Sequence, residues 1–126
     1  MCEASSVKPV RLQLSRRKGF DLQLHSFRTN GLAAVSVARP SIFGNPWRVG
    51  AQPYFSLDMV LSLHRCWITG AASDEDVGPQ AAELRKGVLG RLHALRGKNL
   101  ACYCQLPDPY ERDRCHAAIL LQLANA

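Results

Sequence analysis

Val10, Leu12 and Leu14 alternate with polar residues in VRLQLSR, the period-two pattern of a half-buried strand. Phe20, Leu22 and Leu24 repeat it in FDLQLHSF, and the turn Arg17-Lys18-Gly19 between the two runs predicts a hairpin. Thr29-Asn30-Gly31 marks another turn, and LAAVSVA at 32–38 reads as a short buried strand. Residues 39–50, RPSIFGNPWRVG, hold two prolines with Gly44, Asn45 and Gly50, which exclude regular structure for most of the segment. From Ser56, a suitable cap, Leu57, Val60, Leu61, His64 and Ile68 recur near helical spacing, and Gly70 would end that helix. The acidic stretch 71–79 reads as a loop. Ala81 to Leu95 form a second amphipathic helix with Leu84, Val88, Leu92 and Leu95 on one face. Gly87 and Gly90 weaken it by about 1 kcal/mol each relative to Ala.

Gly97-Lys98-Asn99 turns into a strand, LACYC, and a last helix is expected from Asp113, a good N-cap, through Ile119, Leu120, Leu121 and Leu123. The order β-β-β-α-α-β-α predicts a small single-domain α/β sandwich, one mixed sheet with about three packed helices. That domain would span residues 10–126 behind a flexible lead at 1–9. No internal repeat or low-complexity segment interrupts it.

Composition narrows the class. Hydrophobic residues are 47% and charged residues 21% of 126, ordinary for a globular domain that needs no metal merely to fold. No apolar run is long enough to cross a bilayer, and no charged start with an apolar run behind it marks an export signal. No membrane association and a cytoplasmic location are therefore expected. There, five cysteines read as thiols or metal ligands and not as a disulfide framework. Residues 1–50 hold eight basic and two acidic residues, so the whole net charge of +6 lies in that part and residues 51–126 balance. Such a basic half suits a phosphate partner, a nucleotide or a nucleic acid, although Lys and Arg also simply solvate surfaces.

Candidate chemistry concentrates near the C-terminus. Cys102, Cys104, Cys115 and His116 form C-x-C-x10-C-H, a Cys3His set of the kind zinc takes, but not at a standard zinc-ribbon spacing. On a strand Cys102 and Cys104 share one face. Adjacent Cys115 and His116 would point about 100° apart if both were helical, so joint ligation of all four requires the helix to begin after them. A second reading makes Cys115 a nucleophilic thiolate at a helix N-terminus, with His116 or Arg114 assisting. A third leaves the cysteines as buried core residues. Cys2 is isolated. Cys66 reads as core, and His64 and His93 as surface or core edge, while His25 has no evident partner.

The proline-glycine loop follows one expected strand and precedes a helix, where α/β sheets bind ligands. Arg39 and Arg48 could hold phosphate, Ser41 offers a hydroxyl, Gly44 and Asn45 permit a tight turn, and Phe43 or Trp47 could stack on a base. Equally, the loop could be a rigid connector whose aromatics plug the core. No Walker A, G-x-G-x-x-G, H-E-x-x-H or zinc-deaminase pattern occurs.

Together, Arg39, Pro40, Gly44, Asn45 and Pro46 in RPSIFGNPW and Cys102, Cys104, Cys115 and His116 in the closing segment resemble a bacterial and phage family, domain of unknown function 4326, over nearly the full chain. The resemblance implies that the two motifs act together. Its occurrence in phages implies a nucleotide or nucleic-acid context by association, without an activity. Two functions follow as expectations. One is an enzyme-like domain processing a nucleotide, nucleoside or nucleic-acid base, with Arg39, Ser41, Gly44, Asn45, Trp47 and Arg48 at the ligand and the Cys/His cluster holding zinc or supplying Cys115 and His116 as reactive groups. The other is a non-catalytic zinc-stabilised module that binds nucleic acid. A plainer third possibility is an interaction protein without metal or ligand.

Overall fold

The computed structural model describes residues 7–39, 41–47, 50 and 56–126. Three strands, β1 (Arg11–Gln13), β2 (Ala34–Ser36) and β3 (Asn99–Cys102), form a sheet in the order β1-β3-β2. Both pairings are parallel, with Leu12 opposite Ala101 and Val35 opposite Leu100. The backbone pairing continues one residue further on each side, where Leu14 N–H and Val37 N–H donate to the carbonyls of Cys102 and Ala101. The expected α/β class holds. The expected mixed sheet does not, because among the described residues every strand pair is parallel. Parallel neighbours require crossover connections, and these are helices.

The largest correction lies at residues 20–27. They form no second strand and no hairpin but the helix α1 (Leu22–Asn30). Asp21 caps it by accepting from Leu24 N–H, and Gly31 ends it in the left-handed conformation at φ 80°, its N–H donating to the Phe27 carbonyl. The inner face of α1 is Leu22, Ser26 and Asn30, one turn apart and partly polar. Leu24, which carried the strand pattern with Phe20 and Leu22, is exposed, and so is Phe27. The helix is held by hydrogen bonds to the fully buried Asn99 of β3. Asn99 Nδ2 donates to Ser26 Oγ at 2.7 Å and to Asn30 Oδ1 at 2.8 Å, while its Oδ1 accepts from Val10 N–H at 2.9 Å. Asn99→Ala leaves the Val10 N–H without its acceptor and removes the ties of Ser26 and Asn30 to β3, so that α1 keeps the pair of hydrogen bonds between Gln23 and the Ala34 backbone. It is expected to lower stability by about 2–3 kcal/mol in a denaturant melt; a change under about 0.5 kcal/mol would show that α1 is held otherwise.

The other helices are α2 (Leu57–Ile68), α3 (Asp74–Val77), α4 (Pro79–Arg91) and α5 (His116–Ala124), with a 3-10 turn at Leu92–Leu95. The stretch 71–79 is thus no simple loop: Ser73 and Asp76 form a capping box that starts α3. Side chains alternate across β3, so Leu100 and Cys102 face a core with Trp67 and Ile68 of α2, Val88 of α4 and Leu120 of α5. Ala101 faces the opposite side with Leu12, Ala34 and Leu22 of α1. The central strand is covered on both faces, as a parallel sheet demands. Phe43 joins the larger core and does not face a ligand. Cys66, expected in the core, is exposed on α2. His64, expected at the surface or core edge, is buried. Among the described residues no helix is long and apolar enough to cross a membrane.

Candidate metal centre and cavity

The C-terminal ends of all three strands open onto one cavity of about 300 Å³. Arg16 follows β1, Ala38 and Arg39 follow β2, and Cys102 ends β3, with Tyr103 and Cys104 immediately beyond. Asn45 and Trp47 bring the proline-glycine loop to the same cavity, and Cys115 and His116 bring the start of α5. This is the edge at which α/β sheets bind ligands. The two motifs, well separated in the chain, share one site.

Cys102, Cys115 and His116 form a cluster that could hold a metal ion, with their donor atoms all within 4.8 Å of one another. The expected requirement that the helix begin after both residues is not met, because α5 starts at His116 itself; the extended backbone of Cys115 brings the two side chains together instead. Cys115 is extended, φ −138° and ψ 143°, and is itself the N-cap of α5, its Sγ accepting from Ala117 N–H. The expected cap, Asp113, is engaged elsewhere. Cys115 Sγ stands 3.8 Å from His116 Nδ1. A sulfur about 2.3 Å and a nitrogen about 2.0 Å from a tetrahedral metal lie about 3.5 Å apart, so the observed spacing is close to that of two ligands of one ion. His116 Nε2 lies 2.8 Å from the Val37 carbonyl. A carbonyl only accepts, so Nε2 carries the proton and Nδ1 is left with its lone pair toward the cysteines, the arrangement of a metal-ligating histidine. Cys104 is half-buried, 3.9 Å from Cys102 sulfur to sulfur, and falls outside the mutual 4.8 Å set.

The thiols interact as a unit. Hydrogen bonds from Cys104 and Cys115 push the Cys102 thiol pKa down. Its bonds to Cys102 and Cys104, then burial, push Cys115 up. Cys115 is only 1% exposed. Burial also lowers the His116 pKa, favouring the neutral ring.

Two neighbours missed in the sequence shape this centre. Arg11 of β1 is buried, and its guanidinium donates to both carboxylate oxygens of Asp113 at 2.8 and 2.9 Å. The same group donates to the carbonyls of Cys104 and Gln105, so one side chain ties both ends of the loop between Cys104 and Cys115. His64 packs edge-on to His116, ring centroids 5.5 Å apart, and its Nδ1 has no hydrogen-bond partner among the described residues. Burial, then His116 and Arg65, pushes its pKa down to about 3. Asp113 at helical distance from an apolar run looked like a cap, and an arginine in a strand looked like solvated charge; only the pairing of β1 with β3 brings these two together.

The loop is built around Arg39. Its Nη1 donates to the Asn45 carbonyl at 2.7 Å and reaches the Trp47 carbonyl at 3.5 Å. Asn45 is buried, donates from Nδ2 to the Val60 carbonyl of α2 at 3.2 Å and accepts from Trp47 N–H at 3.0 Å. Asn45 thus fixes the loop, while Trp47 leans edge-on against Trp67, centroids 5.6 Å apart. Ser41 Oγ accepts from Phe43 N–H and does not line the cavity. Gly44 is also absent from the lining and is there for space: a Cβ would stand 2.7 Å from Arg39 Cγ and 3.1 Å from its Cα. Gly44→Ala is expected to displace the loop and cost about 1–3 kcal/mol, read as a lower denaturation midpoint; an unchanged midpoint would mean that the loop yields freely. Pro40, Arg48 and Cys2 lie outside the described residues.

No curated protein and no solved structure matches the chain. Residues 23–126, which include the loop, the cluster and every element from β2 onward, match the family described as domain of unknown function (DUF4326), and the chain belongs to that family.

Proposed function

We propose that this is a zinc-dependent domain that processes a nucleotide, nucleoside or nucleic-acid base. Cys102, Cys115 and His116 hold the ion, and Arg39 with Arg16 holds the phosphate or sugar end of the ligand. One observation carries the reading: the metal-capable cluster lies in the wall of the same cavity that the arginine-bearing loop lines. Structural zinc sites are closed by four ligands, whereas a site with three protein ligands facing a cavity has the form of a catalytic one. Zinc in such a site supplies a Lewis acid and a bound water that ionises near neutral pH.

The chain's own groups suit the rest of the task. Arg39 spends one nitrogen on the loop carbonyls, and its other N–H donors have no partner among the described residues and would meet a phosphate. Tyr103 and Trp47 present rings at the cavity, and stacking of a base on such a ring contributes about 1–3 kcal/mol. A cavity near 300 Å³ lies at the small end of ligand pockets and suits a single nucleoside or nucleotide, not an extended cofactor. In this reading Cys115 and His116 are ligands rather than nucleophile and base, in keeping with the burial of the thiol and the engagement of His116 Nε2 with Val37.

Calorimetric titration with nucleoside monophosphates tests the reading. Wild type should bind at least one of them, and Arg39→Ala, shown folded by circular dichroism, should bind it roughly ten- to a hundredfold more weakly, the loss of one charged hydrogen bond. Equal binding by the two proteins would sink the assignment of Arg39. The non-catalytic zinc module that binds nucleic acid remains the second reading, favoured by the basic excess of residues 1–50. It requires a closed four-ligand site, which Cys104 decides.

A further inference from the structure

We infer that the substrate is presented as part of a single nucleic-acid strand, its backbone held in a groove between β1 and α1 while one nucleotide occupies the metal-lined cavity. This deepens the proposed function and rests on it. The groove measures about 570 Å³, and Gln13, Arg17, Phe20, His25 and Arg28 are among its lining residues. It lies beside the cavity along the chain itself: Arg16 lines the cavity and Arg17, the next residue, lines the groove.

The charge on this path is available. Among the described residues the carboxylate ion pairs are Arg11–Asp113 and Arg114–Asp58, so Arg17, Lys18 and Arg28 have no carboxylate partner there. The one acid of the groove, Asp21, is committed as the N-cap of α1, accepting from Leu24 N–H. These three exposed cations belong to the half of the chain that carries the whole positive excess. Rings stand along the same path. Arg16 lies 3.9 Å over the Tyr103 ring at the cavity, and Phe20 pairs with His25 in the groove at 5.7 Å. Cations following a backbone with rings beside them are the composition of a single-strand site. A duplex fits less well, because the cavity admits a single nucleotide and a paired base would first have to leave its stack.

The test compares four probes by fluorescence anisotropy and competition: a labelled 12-nucleotide DNA, the same sequence as RNA, its duplex, and a nucleoside monophosphate. Wild type should bind one or both single strands at least tenfold more tightly than the duplex or the monophosphate. In log affinity against log salt, its slope should be steeper by about 1.4 than that of Arg17→Ala/Arg28→Ala, about 0.7 for each phosphate that the variant no longer neutralises. The double variant should keep its metal content and its affinity for the monophosphate, since neither residue lines the cavity. If the monophosphate binds but strands bind no tighter, or if the salt slopes coincide, the strand inference is overturned and the proposed function stands. Duplex binding as tight as single-strand binding overturns it too. If the monophosphate fails to bind at all, the proposed function itself fails.

Discussion

One zinc ion per chain is the expected result for protein purified without a histidine tag, and Cys102→Ser and Cys115→Ser should each lose it. Removing an outer partner of a metal site typically weakens affinity about 10–100-fold, so removing a ligand should weaken it by more than about a hundredfold. Cys115→Ser is the cleaner of the two. Cys115 is the N-cap of α5, and serine is a preferred cap, so the helix should survive while the metal is lost. A chain of this length does not need the ion to fold, and the metal-free protein should keep its circular dichroism. It should melt lower: at free zinc about a thousandfold above the dissociation constant the ion adds about 4 kcal/mol, on the order of 15 °C for a domain of this size. Cys104→Ser is the informative control. Its sulfur lies outside the set whose donors are mutually within 4.8 Å, so this variant should keep one zinc with affinity lowered about tenfold. Loss of the ion there would mean a closed four-ligand centre, and the catalytic reading would give way to the structural one. Absence of zinc in every protein would remove the metal proposal altogether.

Arg11→Met should produce the largest loss of stability among the side chains around the site. The Arg11 and Asp113 side chains are 4% and 17% exposed, and the bidentate pair is supplemented by two carbonyl acceptors. Removing one member of a buried pair leaves the other charge uncompensated, at about 3–5 kcal/mol. For this chain that lowers the melting temperature by roughly 10–20 °C. Arg11→Lys should recover only part of it, because an ammonium cannot span the carboxylate and both carbonyls as a planar fork does. Metal affinity should fall alongside, since the loop between Cys104 and Cys115 loses the tie at both of its ends. A variant within about 0.5 kcal/mol of wild type would show that the loop holds itself.

Both expectations turn on residues whose importance differs in visibility. Cys102, Cys115 and His116 stand out in the sequence because cysteine and histidine are few and clustered. Arg11 does not, because an arginine in an alternating run looks the same whether it is solvated or buried. The same asymmetry governs α1. FDLQLHSF alternates leucines, and alternation reads as a strand. The helix that forms instead turns Leu22, Ser26 and Asn30 inward and secures the last two to Asn99. A helix attached through hydrogen bonds leaves no apolar stripe, so hydrophobic periodicity misses it. The cap residue Asp21 and the terminating Gly31 were the local signals.

In the loop, the glycine-asparagine-proline pattern correctly indicated a tight turn, but not which residues serve it and which serve a ligand. Gly44 is explained by the closeness of Arg39, and Asn45 by its bonds to Val60 and Trp47. Both are demands of folding that resemble demands of binding when only residue types are known.

The sequence by itself determined the α/β class, the extent of α2, the existence of α4 and α5, the family, and the pairing of a proline-glycine loop with a C-terminal Cys/His motif. Those features rest on short-range periodicity, on capping and turn chemistry, and on rare residues, all of which are local. Only the tertiary structure decided that the sheet is parallel, that residues 22–30 are helical, that Cys104 adjoins Cys102 but falls outside the mutual set of Cys102, Cys115 and His116, and that both motifs share one cavity. Parallel pairing puts the ends of all three strands on one edge, so Arg16, Arg39 and Cys102 become neighbours through the sheet, a relation that no local pattern encodes.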